Sequence, residues 1–342
     1  MRRLGRSDLS VPPIGLGTWS VFDTDRDLRW LVDEALAAGV TLFDSSPMYG
    51  QAERCLARAL GDRRPEAIVA TKISAVDAER GERQISEALT LFGRIDLYQI
   101  HNIVSWKLHL PRLEALKKEG LVGAIGISQG LLVSDDAFEE VMRTGIVDSV
   151  QVRYNPNRQG AADRIIPIAA DLGLAIFVMQ PLRWGVLLAS PADHELEMLQ
   201  VSSWGEAVIR WILTDDRITT ILTATASPGR IGTNADAARL PPFSPDEKAL
   251  VESIIARGPA AGCTPLHSPS PSDLVRPIGS FLSARLGACY CDICIGREFA
   301  VSAAIAAQVR GMLPGKAFAN EVGPCLSCGS MREIARSRTI MR

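Results

Sequence analysis

What this 342-residue sequence lacks narrows its class before any motif is considered. It has no uninterrupted apolar stretch long enough to cross a bilayer, which takes about 20 residues. It has no excess of one charge. Against 37 Lys+Arg stand 39 Asp+Glu, a formal net charge of −2, so nothing global marks a nucleic-acid binder. Its first residues, Met1-Arg2-Arg3-Leu4-Gly5-Arg6, are basic but lead into polar and turn residues, without the apolar core of a secretory signal. It also lacks the third glycine of a dinucleotide fingerprint, since Gly15-Leu16-Gly17-Thr18 carries only two. These absences leave a cytoplasmic protein without membrane association as the expectation, and they count against a doubly wound open sheet.

What is present is enough apolar residue for a sizeable core: 47% hydrophobic against 22% charged. Residues 1–13 carry Gly5, Ser7, Pro12 and Pro13 and predict an N-terminal hairpin. After that, strand and helix patterns alternate. Strands are predicted at 14–19, 41–44, 67–72, 95–101, 122–128, 149–154, 174–179 and 218–223. Helices are predicted at 25–38, 52–60, 82–92, 110–118, 135–144, 162–172 and 203–213, with a last one opening at Pro228. The strands are apolar without alternation, so both faces are covered and the sheet is parallel. Eight such units in about 240 residues predict a closed (β/α)8 barrel over residues 1–257.

In such a barrel the C-terminal strand ends share one mouth. Asp44, Lys72 and His101 end the second, third and fourth strands, and Tyr49 stands on the loop after Asp44. An ammonium beside a phenol favours the phenolate, so Lys72 is expected to lower the pKa of Tyr49, with Asp44 keeping Lys72 charged. A phenol tuned in this way can protonate a developing alkoxide, and His101 can hydrogen-bond the same oxygen. The missing part is a nucleophile, which a hydride carrier supplies. Loops at 20–23 and 102–106, with Arg183 and Trp184, are expected to shape the substrate pocket, walled by Trp19, Trp106 and Trp184.

Residues 1 to about 255 resemble the aldo-keto reductases. The likeness rests on Leu4-Gly5-Arg6-Ser7, Gly15-Leu16-Gly17-Thr18-Trp19 and Phe43-Asp44-Ser45-Ser46-Pro47-Met48-Tyr49-Gly50. It continues through Thr71-Lys72, Ile95-Asp96-Leu97-Tyr98-Gln99-Ile100-His101, Gly123-Ala124-Ile125-Gly126-Ile127-Ser128 and Val150-Gln151-Val152-Arg153-Tyr154-Asn155. The resemblance implies a catalytic tetrad of Asp44, Tyr49, Lys72 and His101, and NADP(H) across the mouth. It implies that Ser128 and Gln151 hold the nicotinamide carboxamide, with further cofactor contacts from Trp19, Met179, Pro181 and Leu182. It places the phosphate end at Thr225 and Ser227, a 2′-phosphate contact at Arg230 and an adenine contact at Asn234. Helix starts attract phosphate, and arginine matches it bidentately, which favours NADP over NAD. The chain departs from the family at Met179, where many members place an aromatic.

Five of the seven cysteines fall in the last sixth of the chain. From Leu274 onward nine Lys+Arg face four Asp+Glu, an excess of about +5 that leaves about −7 for the rest. A Pro/Ser/Gly-rich stretch, residues 258–273, reads as a linker to a module at 274–342. Cys291 with Cys294, and Cys325 with Cys328, form two C-x2-C pairs that predict a structural zinc site. Cys289 extends the first pair, so an iron–sulfur cluster is the runner-up. A helix is predicted at 300–308 between the pairs. The segment resembles small four-cysteine zinc modules, and its arginines (Arg332, Arg336, Arg338, Arg342) leave open a protein or nucleic-acid partner.

The sequence thus predicts reduction of an aldehyde or ketone, or the reverse oxidation, with NADP(H) and a zinc-bearing tail. The alternative from another class is a cofactor-sensing regulatory protein whose zinc module engages a partner.

Overall fold

The chain opens on a short antiparallel hairpin, β1 (Arg2–Arg3) with β2 (Ser10–Val11). It lies at the start of a computed structural model. The structure describes residues 1–130, 133–182, 191–257, 274–275, 278–279, 282, 289–293, 295, 303–315, 318–325 and 331–337. Eight strands follow: β3 (Ile14–Gly17), β4 (Leu42–Asp44), β5 (Ile68–Ile73), β6 (Ile95–Ile100), β7 (Val122–Ser128), β8 (Ser149–Arg153), β9 (Ala175–Met179) and β10 (Thr220–Thr223). All pair in parallel, and β10 closes onto β3, so the sheet is a barrel as the unalternated apolar strands predicted.

The barrel has two cores, separated by the period of two along each strand. Leu42, Ala70, Leu97, Ala124, Phe177 and Leu222 point inward and meet Leu4 and Val11 of the hairpin, which stops one end. The outward residues, Phe43, Val69, Tyr98, Ile125, Val150 and Val178 among them, pack under the helices. These are α1 (Arg29–Ala37), α2 (Ala52–Leu60), α3 (Ala78–Phe92), α4 (Trp106–Lys118), α5 (Asp135–Met142), α6 (Ile165–Asp171), α7 (Asp193–Met198), α8 (Trp204–Leu213), α9 (Arg230–Ala237) and α10 (Pro245–Arg257). Side-chain caps start four of them. Asp77 accepts from Arg80 N–H, Ser134 from Ala137 N–H, Ser203 from Glu206 N–H and Ser244 from Glu247 N–H.

Five helices start away from the sequence expectation. Helix α3 starts at Ala78 rather than 82, behind its Asp77 cap, and α6 starts at Ile165 rather than 162. Helix α1 starts at Arg29, because the Asp27 side chain turns back to accept the Arg29 N–H. Helix α4 starts at Trp106 rather than 110 and carries Pro111 in its second turn. Helix α9 starts at Arg230, behind Gly229 in the left-handed region. Ser227 and Pro228 belong to the turn before it rather than to its cap and first position. Helices α7 and α10 have no counterpart in the sequence prediction.

The chain divides into two compact units, Met1–Leu182 with Ser190–Ala261, and Arg183–Ala189 with Gly262–Arg342. The second unit contains α11 (Ala303–Met312) and an antiparallel sheet. Its strands are β11 (Cys289–Cys291), β12 (Phe318–Pro324) and β13 (Met331–Ser337), in the order β11-β13-β12. Its core gathers Leu274, Ile278, Leu282, Tyr290, Val309 and Phe318. Arg310 bridges Asp292 and Glu333, and Arg336 pairs with Glu321. The linker at 258–273 lies outside the described residues.

Candidate active site

The inward positions of three neighbouring strands change from apolar to polar towards the mouth. Leu42, Ala70 and Leu97 are followed, two residues on, by Asp44, Lys72 and Gln99, and on the next strand Ala124 is followed by Gly126. The same period of two that fills the barrel floor therefore aims an acid, a base and an amide into its interior. Asp44, Lys72 and Gln99 are all buried. The Lys72 ammonium donates to Asp44 Oδ2 at 2.6 Å and to the Ser45 carbonyl at 2.8 Å. Gln99 Nε2 donates to the other carboxylate oxygen, Oδ1, at 2.8 Å. The sequence reading missed Gln99. The available signal was a lone amide inside an apolar strand.

Tyr49 closes this layer from above. Its loop is held because the Asp23 carboxylate accepts the Gln51 N–H at 2.9 Å. Gly50 permits the approach, with φ +63° and no side chain. A Cβ there would lie 2.3 Å from Asp23 Oδ1. The Lys72 ammonium lies 5.3 Å from the centre of the Tyr49 ring. The His101 ring meets Tyr49 edge-on, with centroids 6.2 Å apart, and its Nδ1 lies 3.5 Å from Ser46 Oγ. The four residues predicted as a relay are thus one cluster.

One expectation is corrected here. Lys72 does pull the Tyr49 pKa down, but burial of the phenolate and the nearby Asp44 charge outweigh it, and the net shift is upward. Tyr49 keeps some exposed surface, yet the surrounding protein penalises its charged form. The Lys72 ammonium pays the same desolvation, but Asp44 and Tyr49 more than offset it, so its pKa is also raised.

Backbone strain concentrates at this mouth. Among the described residues six non-glycines have positive φ, and five follow barrel strands: Ser20 after β3, Asn102, Ile103 and Ser105 after β6, and Gln180 after β9. A β-branched residue such as Ile103 is costly there, and such strain persists only where the surroundings fix it. The Ser128 hydroxyl accepts the Asn102 N–H at 3.0 Å, and Asn155 Nδ2 holds the Gln180 carbonyl at 3.1 Å.

The predicted cofactor residues fall into two groups. Ser128, the last residue of β7, is in register with Gln151 in the middle of β8; both are buried, and Gln151 Oε1 has no hydrogen-bond partner. Trp19, Met179 and Leu182 are half-buried and Pro181 buried, at the ends of β3 and β9. Near α9, Ser227 and Arg230 are exposed, Thr225 is half-buried and accepts the Ser227 N–H, and Asn234 is buried. Trp106 is half-buried on the core, while Arg183 and Trp184 lie outside the described residues.

The sequence profile of the Aldo/keto reductase family matches residues 13–256. This chain belongs to that family. It is 32% identical over 196 residues to an uncharacterized oxidoreductase of Mycobacterium tuberculosis, covering 52% of this chain and 60% of that protein. The NADH-specific methylglyoxal reductase of Escherichia coli is 26% identical over 227 residues, 54% of this chain and 68% of that protein. An aldo-keto reductase from Bacillus halodurans in its holo form superposes with a TM-score of 0.62 at 24% identity, over 74% of this chain and 95% of that one. This chain thus spans about 60% of the length of its mycobacterial relative.

Behind the reductase cluster, on the outer face of β5, Thr71 donates to the buried carboxyl of Glu53 on α2 at 2.5 Å. Burial pushes the Glu53 pKa up to about 7. The folded state therefore holds this proton more tightly than the unfolded chain does. The stability it confers is complete below the unfolded value, near 4.3, and is lost as pH rises through about 7. Glu53→Gln removes that loss. At pH 8 the variant is expected to be more stable than wild type by up to about 3 kcal/mol, with the two converging below about pH 4. Urea melts at both pH values check this, and identical pH dependence in the two proteins refutes it.

In the second unit Cys291, on β11, and Cys325, just past β12, are both buried. The Cys291 N–H donates to Cys325 Sγ at 3.3 Å. Cys294 and Cys328 lie outside the described residues. Among the described residues no group of three or more His, Cys, Asp or Glu side chains forms a metal site, so the four-cysteine zinc centre is not shown.

Proposed function

We propose that this aldo-keto reductase uses NADP(H) to interconvert an aldehyde or ketone with its alcohol, and that Tyr49 is its proton donor. The observation that carries the reading is the buried Lys72–Asp44 pair set beneath the Tyr49 ring. When bound, the nicotinamide supplies the hydride.

The residues at the mouth fit such a group. Gln151 Oε1 is a buried acceptor with no partner, suited to an amide N–H of the carboxamide. Ser128 uses a lone pair on Asn102, which leaves its hydroxyl proton free to donate. Tyr49, a phenol protonated at neutral pH, gives its proton to the oxygen that gains charge as the carbonyl is reduced. Lys72 lowers the cost of the phenolate left behind, and Asp44 keeps Lys72 ionised and in place. His101, with a ring N–H, steadies the same oxygen. Arg230, exposed at the start of α9, favours the 2′-phosphate of NADP. The NADH-specific E. coli relative makes that choice a point for measurement.

Fluorescence titration with NADPH and NADH, followed by oxidation assays on a panel of small carbonyls, tests the reading. NADPH consumption is expected. Cofactor binding with no turnover across the panel would sink it in favour of a sensor.

We also propose that Cys291, Cys294, Cys325 and Cys328 hold one structural zinc ion. The Cys291 N–H directed at Cys325 Sγ supports this, because such a bond stabilises thiolate charge. About one equivalent of zinc in purified protein is expected, whereas an iron-containing sample overturns it.

A further inference from the structure

We infer that Gln99 is a positioning residue that fixes the orientation and charge of Asp44. Its kinetic consequence rests on the reductase reading above, but its structural consequence does not.

The Asp44 carboxylate has two oxygens and two dedicated donors. Oδ2 takes the charged one, Lys72, at 2.6 Å, and Oδ1 takes the neutral one, Gln99 Nε2, at 2.8 Å. A single ion pair would leave the carboxylate free to turn about its Cβ–Cγ bond. Two donors from different strands fix its plane. The amide has only one workable orientation, since its flip would press Oε1 against a carboxylate oxygen.

The strand register serves this contact. Lys72, Gln99, Gly126 and Ser149 stand side by side across β5, β6, β7 and β8. Gly126 clears the lane. A Cβ at that position would lie 2.9 Å from Gln99 Cγ and 2.6 Å from Ser149 Oγ. Gln99 is wholly buried, and its Oε1 has no hydrogen-bond partner. A buried amide with an unpaired carbonyl carries a desolvation cost that an apolar chain of equal length avoids. Filling volume therefore does not account for an amide here, whereas donation to Asp44 does.

The titratable groups acting on Asp44 are Lys72 on β5 and Tyr49 on the loop after β4. His101 lies beyond the edge of Tyr49, and Glu53 on α2 acts on Lys72 from outside the barrel. Gln99 donates to the ionised form of Asp44, so it favours the carboxylate. An ionised, oriented Asp44 in turn keeps Lys72 charged beneath Tyr49.

Carbon-13 spectra of aspartate-labelled full-length protein test this, with the Asp44 resonance assigned through Asp44→Asn. In Gln99→Met the Asp44 carboxyl resonance is expected to broaden, because one of the two donors that fix its plane is gone. The kcat is expected to fall about tenfold, while KM and nicotinamide affinity stay within about twofold. Gln99→Glu, isosteric with the native side chain, keeps the test open if Gln99→Met does not fold. Its carboxyl shares a proton with Asp44, so its activity is expected to fall as pH rises through a limb absent from wild type. An Asp44 resonance in Gln99→Met that superimposes on wild type overturns the inference, as does a Gln99→Glu profile without the new limb. If wild type turns over no carbonyl, the reductase reading fails while the Asp44 resonance still decides the role of Gln99.

Discussion

Tyr49→Phe is expected to lower carbonyl turnover by about 10²–10⁴-fold, the usual loss when a positioned acid is removed. Nicotinamide binding is expected to stay within about twofold of wild type, because the residues assigned to the carboxamide, Ser128 and Gln151, lie on other strands. Phenylalanine keeps the ring, its packing on the core and its edge contact with His101. Only the hydroxyl goes, and with it the proton. Steady-state assays paired with a fluorescence titration separate the two effects. Turnover within threefold of wild type, about 0.6 kcal/mol in the barrier, would remove Tyr49 from the chemistry.

Lys72→Met is expected to cost about 3–5 kcal/mol of stability in addition to activity. Lys72 and Asp44 are both almost wholly buried, so removing the ammonium leaves a carboxylate with no opposite charge and no access to water. Gln99 remains as one donor, which does not replace the cation. The sign with pH follows. A buried carboxylate without a partner is costly only while it is ionised, so the variant recovers stability relative to wild type as pH falls. Adding Asp44→Asn to Lys72→Met is expected to return most of the lost stability, because a neutral amide fills the same place and still accepts from Gln99. Turnover stays abolished in the double variant. Urea unfolding of the two singles and the double forms the cycle. A Lys72→Met loss below about 1 kcal/mol would show the pair to be structurally unimportant.

Much of this arrangement is legible in order along the chain. Asp44, Lys72 and His101 end three successive apolar runs, and the apolar pattern alone predicts those runs as parallel strands. A parallel barrel of eight then leaves one mouth for all three. Helix starts were less legible. Pro111 sits in the second turn of α4, and Asp27 and Gly229 shift the starts of α1 and α9 through local hydrogen bonds and backbone angles. Capping geometry decides such boundaries, and periodicity does not contain it.

Two features of the site needed the fold itself. The bond from Gln99 to Asp44 spans 55 residues of sequence and crosses the strand between them. Neither residue signals the other, and only barrel closure and register bring them together. The direction of the Tyr49 shift needed the fold as well. From sequence the visible partner is Lys72, which lowers it. The density of protein around the phenol, which raises it further, is a property of packing. The sequence by itself therefore determined which chemical groups line the mouth and in what order, because strand period and strand ends are local. The tertiary structure decided which of those groups touch and how strongly each holds its proton, because hydrogen bonds across strands and desolvation depend on everything folded around them.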